Sequence, residues 1–133
     1  MKMRVDHIGW VTNDLQKFES FWVKILGFKK IWESILSPEM TKTLFGINCG
    51  AKCIRYKKGK VTVECHLFDK PVVENKLRFR KFGINHIALH VQNRAKFLKL
   101  YHFQVHIYHN PKGWDNIFIR DFEGNWIELK ETL

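Results

Sequence analysis

The 133-residue chain has no apolar run near the roughly 20 residues that cross a bilayer. Its opening, Met1-Lys2-Met3-Arg4, leads straight into a strand-like segment with no apolar signal region, so a cytoplasmic protein without a membrane partner is expected. Cysteine is scarce: Cys49, Cys53 and Cys65 are odd in number and form no CxxC pair, which argues against a disulfide framework or a zinc knuckle. They read as small buried apolar residues. Acidic residues are few as well, 13 against 23 Lys and Arg, for a net charge of +10. That excess raises the question of an acidic partner. The densest basic stretch, Lys76-Leu77-Arg78-Phe79-Arg80-Lys81-Phe82, interleaves cations with aromatics, but Lys and Arg are spread over both halves. A solvated connector is therefore the expected reading, and nucleic acid an unlikely partner.

What is present is a chain that repeats itself. Val5-Asp6-His7-Ile8-Gly9-Trp10-Val11 aligns without gaps with Ile84-Asn85-His86-Ile87-Ala88-Leu89-His90. Both are β-rich and both lead into helix-like stretches. In the first copy Asn13 or Asp14 caps a helix with Leu15, Phe18, Phe21, Trp22, Ile25 and Leu26 on its apolar face, and Gly27 stops it. In the second copy Asn93 caps a shorter helix carrying Ala95, Phe97, Leu98 and Tyr101.

Strands are expected at Phe28 to Leu36, Ala51 to Tyr56 and Lys60 to Phe68, the last two joined by the turn Lys57-Lys58-Gly59. In the second half they fall at Gln104 to His109, Trp114 to Arg120 and Trp126 to Lys130, with Asp121 to Asn125 as the closing turn. Ser37 to Asn48 reads as a polar surface excursion bearing Pro and Gly. The fold class expected is α+β: two tandem βαβββ modules forming one curved, cup-like mixed sheet with helices on its outer face. The 133 residues then make one domain, with modules at about 3–69 and 83–131 and a connector at 70–82.

The last strands match too, Val63-Glu64-Cys65 against Ile127-Glu128-Leu129. Side chains alternate faces along a strand, so where the apolar flanks pack on the helix layer, Glu64 and Glu128 point into the cup. The same parity puts His7 and His86 there, because Ile8 and Ile87 take the helix side. Taken singly, a strand His is usually a satisfied polar group and a strand Glu a solvated one. Two repeat-matched His and two repeat-matched Glu, all inward, are costly unless neutralised or coordinated. His7, Glu64, His86 and Glu128 are therefore the candidate metal ligands.

At Asp6-His7-Ile8-Gly9, Leu26-Gly27-Phe28, Gly83-Ile84-Asn85-His86-Ile87-Ala88 and Asp121-Phe122-Glu123-Gly124-Asn125-Trp126-Ile127-Glu128 the chain resembles the vicinal oxygen chelate superfamily. That superfamily includes glyoxalase I, methylmalonyl-CoA epimerase, extradiol dioxygenases, and fosfomycin and bleomycin resistance proteins. The resemblance runs over nearly the whole chain, closest to the four-ligand glyoxalase-like members. Nitrogen and oxygen donors without thiolate suit one divalent ion among Zn, Ni, Co, Mn and Fe. The resemblance implies a Lewis-acid lyase or isomerase that acts on a small oxygen-chelating substrate through an enediolate-type intermediate. A ligand carboxylate, Glu128 or Glu64, would serve as the catalytic base. His66 and His90 share faces with Glu64 and His86 and are candidate supporting groups, each with solvent exposure as its plainer reading.

Trp10, Trp114, Phe118 and Trp126 are candidate pocket walls, although Trp10 is expected on the helix side. Arg4, Arg55 and Arg120 are candidates for engaging an anionic small-molecule substrate, and a homodimer is expected. The alternatives are an extradiol-type dioxygenase and a non-catalytic antibiotic-binding protein. The dioxygenases carry a tyrosine three residues before the closing aspartate and a proline after it, where this chain has Phe118 and Phe122, and they lack a carboxylate at Glu64. The fosfomycin-type transferases use three ligands and likewise leave Glu64 without a counterpart. Antibiotic-binding members typically lack the metal ligands.

Overall fold

The computed structural model describes residues 1–73, 82–101 and 104–131. It divides into two compact units, Met1–Glu74 and Asn75–Leu133. The first contains β1 (Ile8–Val11), α1 (Leu15–Glu19), β2 (Lys29–Leu36), α2 (Pro38–Phe45), β3 (Ala51–Lys58) and β4 (Val61–Phe68). The second contains β5 (His86–Val91), α3 (Arg94–Tyr101), β6 (Val105–His109), β7 (Asp115–Arg120) and β8 (Trp126–Glu131). Each unit builds one four-stranded mixed sheet in the same order: β1-β4-β3-β2 in the first, β5-β8-β7-β6 in the second. The fold is α+β with two tandem βαβββ modules. Among the described residues no helix is long and apolar enough to cross a membrane.

In the first module Asp14 is the cap: its carboxylate accepts from the Lys17 amide at 3.1 Å. The helix continues into wider π-helical turns over Ser20–Ile25, where Leu26 N donates to Phe21 O at 3.0 Å. Gly27 ends it at φ +76°, a left-handed conformation natural to glycine. Phe18, Phe21 and Trp22 are all buried on one face of the sheet. The Trp22 ring meets Trp10 at 5.3 Å and Phe28 at 5.1 Å between centroids, so Trp10 does face the helix layer. Val63 and Cys65 are buried on that same side, as are Ile127 and Leu129 in the second module. The alternation read from the sequence is therefore the one observed.

Two expectations are corrected. Ser37 to Asn48 is not a plain surface loop, because most of it is α2. Ser37 Oγ caps the Met40 amide at 3.1 Å, Pro38 occupies the first turn, and Gly46 closes the helix at φ +71°. Thr41 is wholly buried beneath it, with Oγ1 bonded to the Pro38 carbonyl (3.0 Å) and to the Cys49 carbonyl. The β3–β4 turn is also shorter than Lys57-Lys58-Gly59. Both strands run on until Lys58 pairs with Val61, and the turn is Gly59-Lys60 with Gly59 at φ +57°. In the sequence-expected turn Tyr56 faces Lys60, whereas it actually faces Val63. A shift of three residues reverses which β3 side chains share a face with Glu64.

In the second module Asn93 caps α3 by accepting from the Lys96 amide at 2.8 Å. The closing turn is held by Asp121 Oδ1, which accepts from the Glu123 and Asn125 amides at 3.0 and 2.8 Å, with Gly124 at φ +86°. The basic stretch from Lys76 to Lys81 lies outside the described residues.

Candidate metal centre

Strand pairing sets the site. β1 runs parallel to β4 with Gly9 beside Glu64, and β5 runs parallel to β8 with Ala88 beside Glu128. Each His thus sits two residues before a small residue that neighbours the Glu, on the same face. The small side chains leave room for imidazole and carboxylate to meet diagonally, and a Cβ added to Gly9 would have no atom within 4 Å. His7 Nε2 lies 3.6 Å from Glu64 Oε1, and His86 Nε2 lies 3.6 Å from Glu128 Oε2. Side-chain exposure also repeats, 31% and 12% in the first pair against 31% and 13% in the second. Each module by itself brings its His to its Glu.

The other ring nitrogen completes the pattern. His7 Nδ1 is 2.9 Å from Asp6 Oδ2, and His86 Nδ1 contacts the Asn85 side-chain oxygen. A carboxylate only accepts, so Nδ1 of His7 carries the proton, and a neutral His7 ring presents the lone pair of Nε2 to Glu64. A lone pair facing a carboxylate is an arrangement that a proton on the ring or a metal ion between them would satisfy. Two donors at about 2.0–2.1 Å from one tetrahedral ion stand about 3.3 Å apart, so 3.6 Å closes with a small side-chain movement. The donor set and its supporting oxygens fit a divalent ion.

The two carboxylates differ in their surroundings. Across the sheet Glu64 pairs with Arg55, whose Nε donates to Oε2 at 2.6 Å, whereas Glu128 pairs with Phe118. Burial works to raise the Glu64 pKa, but the Arg55 hydrogen bond and charge, with His7 and His66 adding to them when protonated, outweigh it. The carboxyl sits below its ordinary value. Glu128 Oε1 is 3.1 Å from Lys130 Nζ, and among the described residues no guanidinium reaches it. Of the three candidate arginines, Arg55 is thus committed to Glu64 and lies over Trp32, Arg120 lies over the Trp126 ring at 4.2 Å, and Arg4 is exposed.

His66 is not solvent-exposed. It is 8% exposed, packs against Phe45 at 5.4 Å, and places Nε2 3.2 Å from Glu64 Oε1. Burial holds its pKa below the ordinary histidine value; Glu64 opposes that shift and His7 adds to it. Cys53 pairs directly with His66, with Sγ 3.7 Å from Nε2. Sequence reasoning missed this contact and that of Arg55, because both depend on the β3–β4 register. His90, by contrast, is exposed. In the second module Phe118 and Trp126 line a cavity of about 300 Å³ with His106, Tyr108 and Asn116, while Trp114 is exposed.

A family model described as Glyoxalase/Bleomycin resistance protein/Dioxygenase superfamily matches residues 6–104. No curated protein matches the chain. Among solved structures, a glyoxalase family protein of Bacillus cereus is 17% identical with a TM-score of 0.78, covering 100% of this chain and 96% of its own. The trypanothione-dependent glyoxalase I of Leishmania major is 18% identical with a TM-score of 0.70, covering 98% and 87%. A fosfomycin resistance protein of Listeria monocytogenes is 17% identical with a TM-score of 0.64, covering 100% and 96%. At such identities the likeness is one of fold. Taken with the matched family model, the chain belongs to the Glyoxalase/Bleomycin resistance protein/Dioxygenase superfamily.

Proposed function

We propose that the protein is a metal-dependent, glyoxalase-like lyase or isomerase, and that His7, Glu64, His86 and Glu128 are the ligands of one divalent ion. The observation that carries this reading is the repeated pair: the same register, the same 3.6 Å separation and the same Nδ1 support in each module. A divalent ion bound there supplies Lewis-acid polarisation to neighbouring oxygens of a small substrate. The chain's own carboxylates have different parts. Glu64 is pinned by Arg55 and held below its ordinary pKa, so it is the fixed, charged ligand. Glu128 has the Phe118 ring across the strand instead of a guanidinium, and it takes the proton from the substrate carbon. Phe118, across the strand from Glu128, also lines the apolar wall of the second-module cavity with Trp126. The substrate is a small molecule with adjacent oxygens, and the working form is a cytoplasmic homodimer.

Metal analysis after brief dialysis tests this, with an expected content close to one divalent ion per chain. His7→Ala and Glu128→Ala are expected to lose it. A wild-type protein that neither holds nor regains a metal sinks the proposal. The chemistry is tested by isomerisation of hemithioacetals against oxygen uptake with catechols, and activity only in the second assay would favour a dioxygenase.

A further inference from the structure

Cys53, Glu64 and His66 form a cluster within the first module alone, and their ligand atoms all lie within 4.8 Å of one another. Cys53 Sγ is 3.7 Å from His66 Nε2, and His66 Nε2 is 3.2 Å from Glu64 Oε1. Donors around a single tetrahedral ion, with metal–sulfur near 2.3 Å and metal–nitrogen or –oxygen near 2.0–2.1 Å, stand about 3.6 Å and about 3.3 Å apart in the same two combinations. The measured separations already have these proportions. His7 Nε2 also faces Glu64 Oε1.

The internal repeat gives no reason for this cluster. The positions matching Cys53 and His66 in the second module are Asn116 and Lys130, just beyond the Ile117–Leu129 pair. There a lysine ammonium, at 3.1 Å, meets the carboxylate of Glu128. The first module instead has a buried thiol and a buried imidazole, 3% and 8% exposed. Arg55 does not block the arrangement. It binds Oε2 of Glu64 and leaves Oε1 turned toward His66 and His7. Nor is the cluster sealed, because His66 lines a cavity of about 350 Å³ with Val11, Phe45, Ile47 and Phe68.

We infer that Cys53, His66 and Glu64 are a metal site of the first module, one that takes a thiolate-accepting divalent ion such as Zn²⁺ or Co²⁺. On binding, the Cys53 thiol gives up its proton to solvent and its sulfur enters the coordination shell, with His66 as neutral imidazole and Glu64 as carboxylate. The inference shares Glu64 with the proposed four-ligand centre but needs neither His86 nor Glu128. A thiolate ligand favours zinc and cobalt over manganese.

Cobalt titration of the metal-free full-length protein tests it. The expected result is a near-ultraviolet thiolate-to-cobalt absorption that saturates at one Co²⁺ per chain. It should persist in His86→Ala and Glu128→Gln, and disappear in Cys53→Ser with affinity falling at least about tenfold. The wild-type spectrum decides first, so a poorly folded Cys53 variant leaves the test intact. Absence of the band in wild type overturns the inference, as does its survival in Cys53→Ser. If Co²⁺ binds without that band and depends on His86 and Glu128, the four-ligand reading stands and this one falls. If the band persists without His86 and Glu128, this inference stands, and the four-ligand reading is decided separately by whether metal content falls in His7→Ala and Glu128→Ala.

Discussion

Arg55 and Glu64 face each other directly across β3 and β4, with the guanidinium Nε donating to the carboxylate at 2.6 Å. The repeat puts Phe118 in the same relation to Glu128. The cross-strand neighbour is thus a guanidinium for the first carboxylate and an aromatic ring for the second, and the residue two on along the strand differs too, His66 against Lys130.

Arg55→Met keeps an apolar stem near Trp32 and removes the donor. With the guanidinium gone, burial is the strongest influence left on Glu64, so its pKa is expected to rise toward or above the ordinary carboxylate value. A carbon-detected NMR titration of the Glu side chains reads this directly. The stability loss at neutral pH is expected to be about 1–2 kcal/mol, near the low end for a charged hydrogen bond because Arg55 is partly exposed. An unmoved Glu64 titration would show that the bond seen between them has no electrostatic weight.

His66 gives the metal-free protein an acid sensitivity. Its folded pKa lies below its ordinary value because burial disfavours the imidazolium. The stability it contributes is therefore complete above about pH 6.5 and is lost as pH falls through the depressed folded value. Thermal melts of chelator-treated protein should show Tm falling across that window. His66→Phe, which can pack with Phe45 and Phe68, should flatten the fall. Equal slopes in the two proteins would assign the acid sensitivity to other groups.

The sequence alone revealed the architecture and the two His–Glu pairs, because both follow from short-range signals that recur. His7-Ile8-Gly9 and His86-Ile87-Ala88 each set one residue between the His and the small position, and strand parity does the rest. The Cys53–His66 contact could not be read in that way. It depends on which residue of β3 lies opposite which residue of β4, and a hairpin turn sets that register. Placing the turn at Lys57-Lys58-Gly59 puts Cys53 across from Val63 on the helix side, whereas the Gly59-Lys60 turn puts it across from His66. α2, too, has its signals in the sequence. Ser37-Pro38 before the segment and Gly46 after it are helix start and stop signals, but the same Pro and Gly are also marks of a loop, and the stretch between them is short.

The burial of Thr41 makes α2 testable. Its hydroxyl binds the Pro38 and Cys49 carbonyls, tying the helix to the strand-entry segment beside the Leu36, Cys53 and Phe68 cluster. Thr41→Val keeps the shape and removes that hydroxyl, leaving the carbonyls short of a donor. A loss of about 1–3 kcal/mol is expected, read as a lower urea midpoint with an unchanged slope. Wild-type stability in the variant would mean that the Cys49 carbonyl finds another donor.

Tyr56 should set the alkaline limit of the first module. It is fully buried beside Phe18, and its hydroxyl donates to Glu19 Oε1 at 2.6 Å, joining β3 to the end of α1. Burial, and then the Glu19 hydrogen bond and charge, hold its pKa far above the ordinary tyrosine value. A raised folded pKa means that the unfolded chain loses the phenolic proton first. The stability Tyr56 contributes is complete below about pH 10 and is drained as pH rises above it. Unfolding should therefore begin above about pH 10 and be accompanied by tyrosinate absorbance. Tyr56→Phe costs about 1 kcal/mol at neutral pH through the lost hydrogen bond, yet should lose less stability between pH 9 and about 11 than the wild type does. A variant that unfolds along the same alkaline curve as wild type would mean that the lysine contact at the helix end, Lys58 to the Leu26 carbonyl, or another group sets that limit instead.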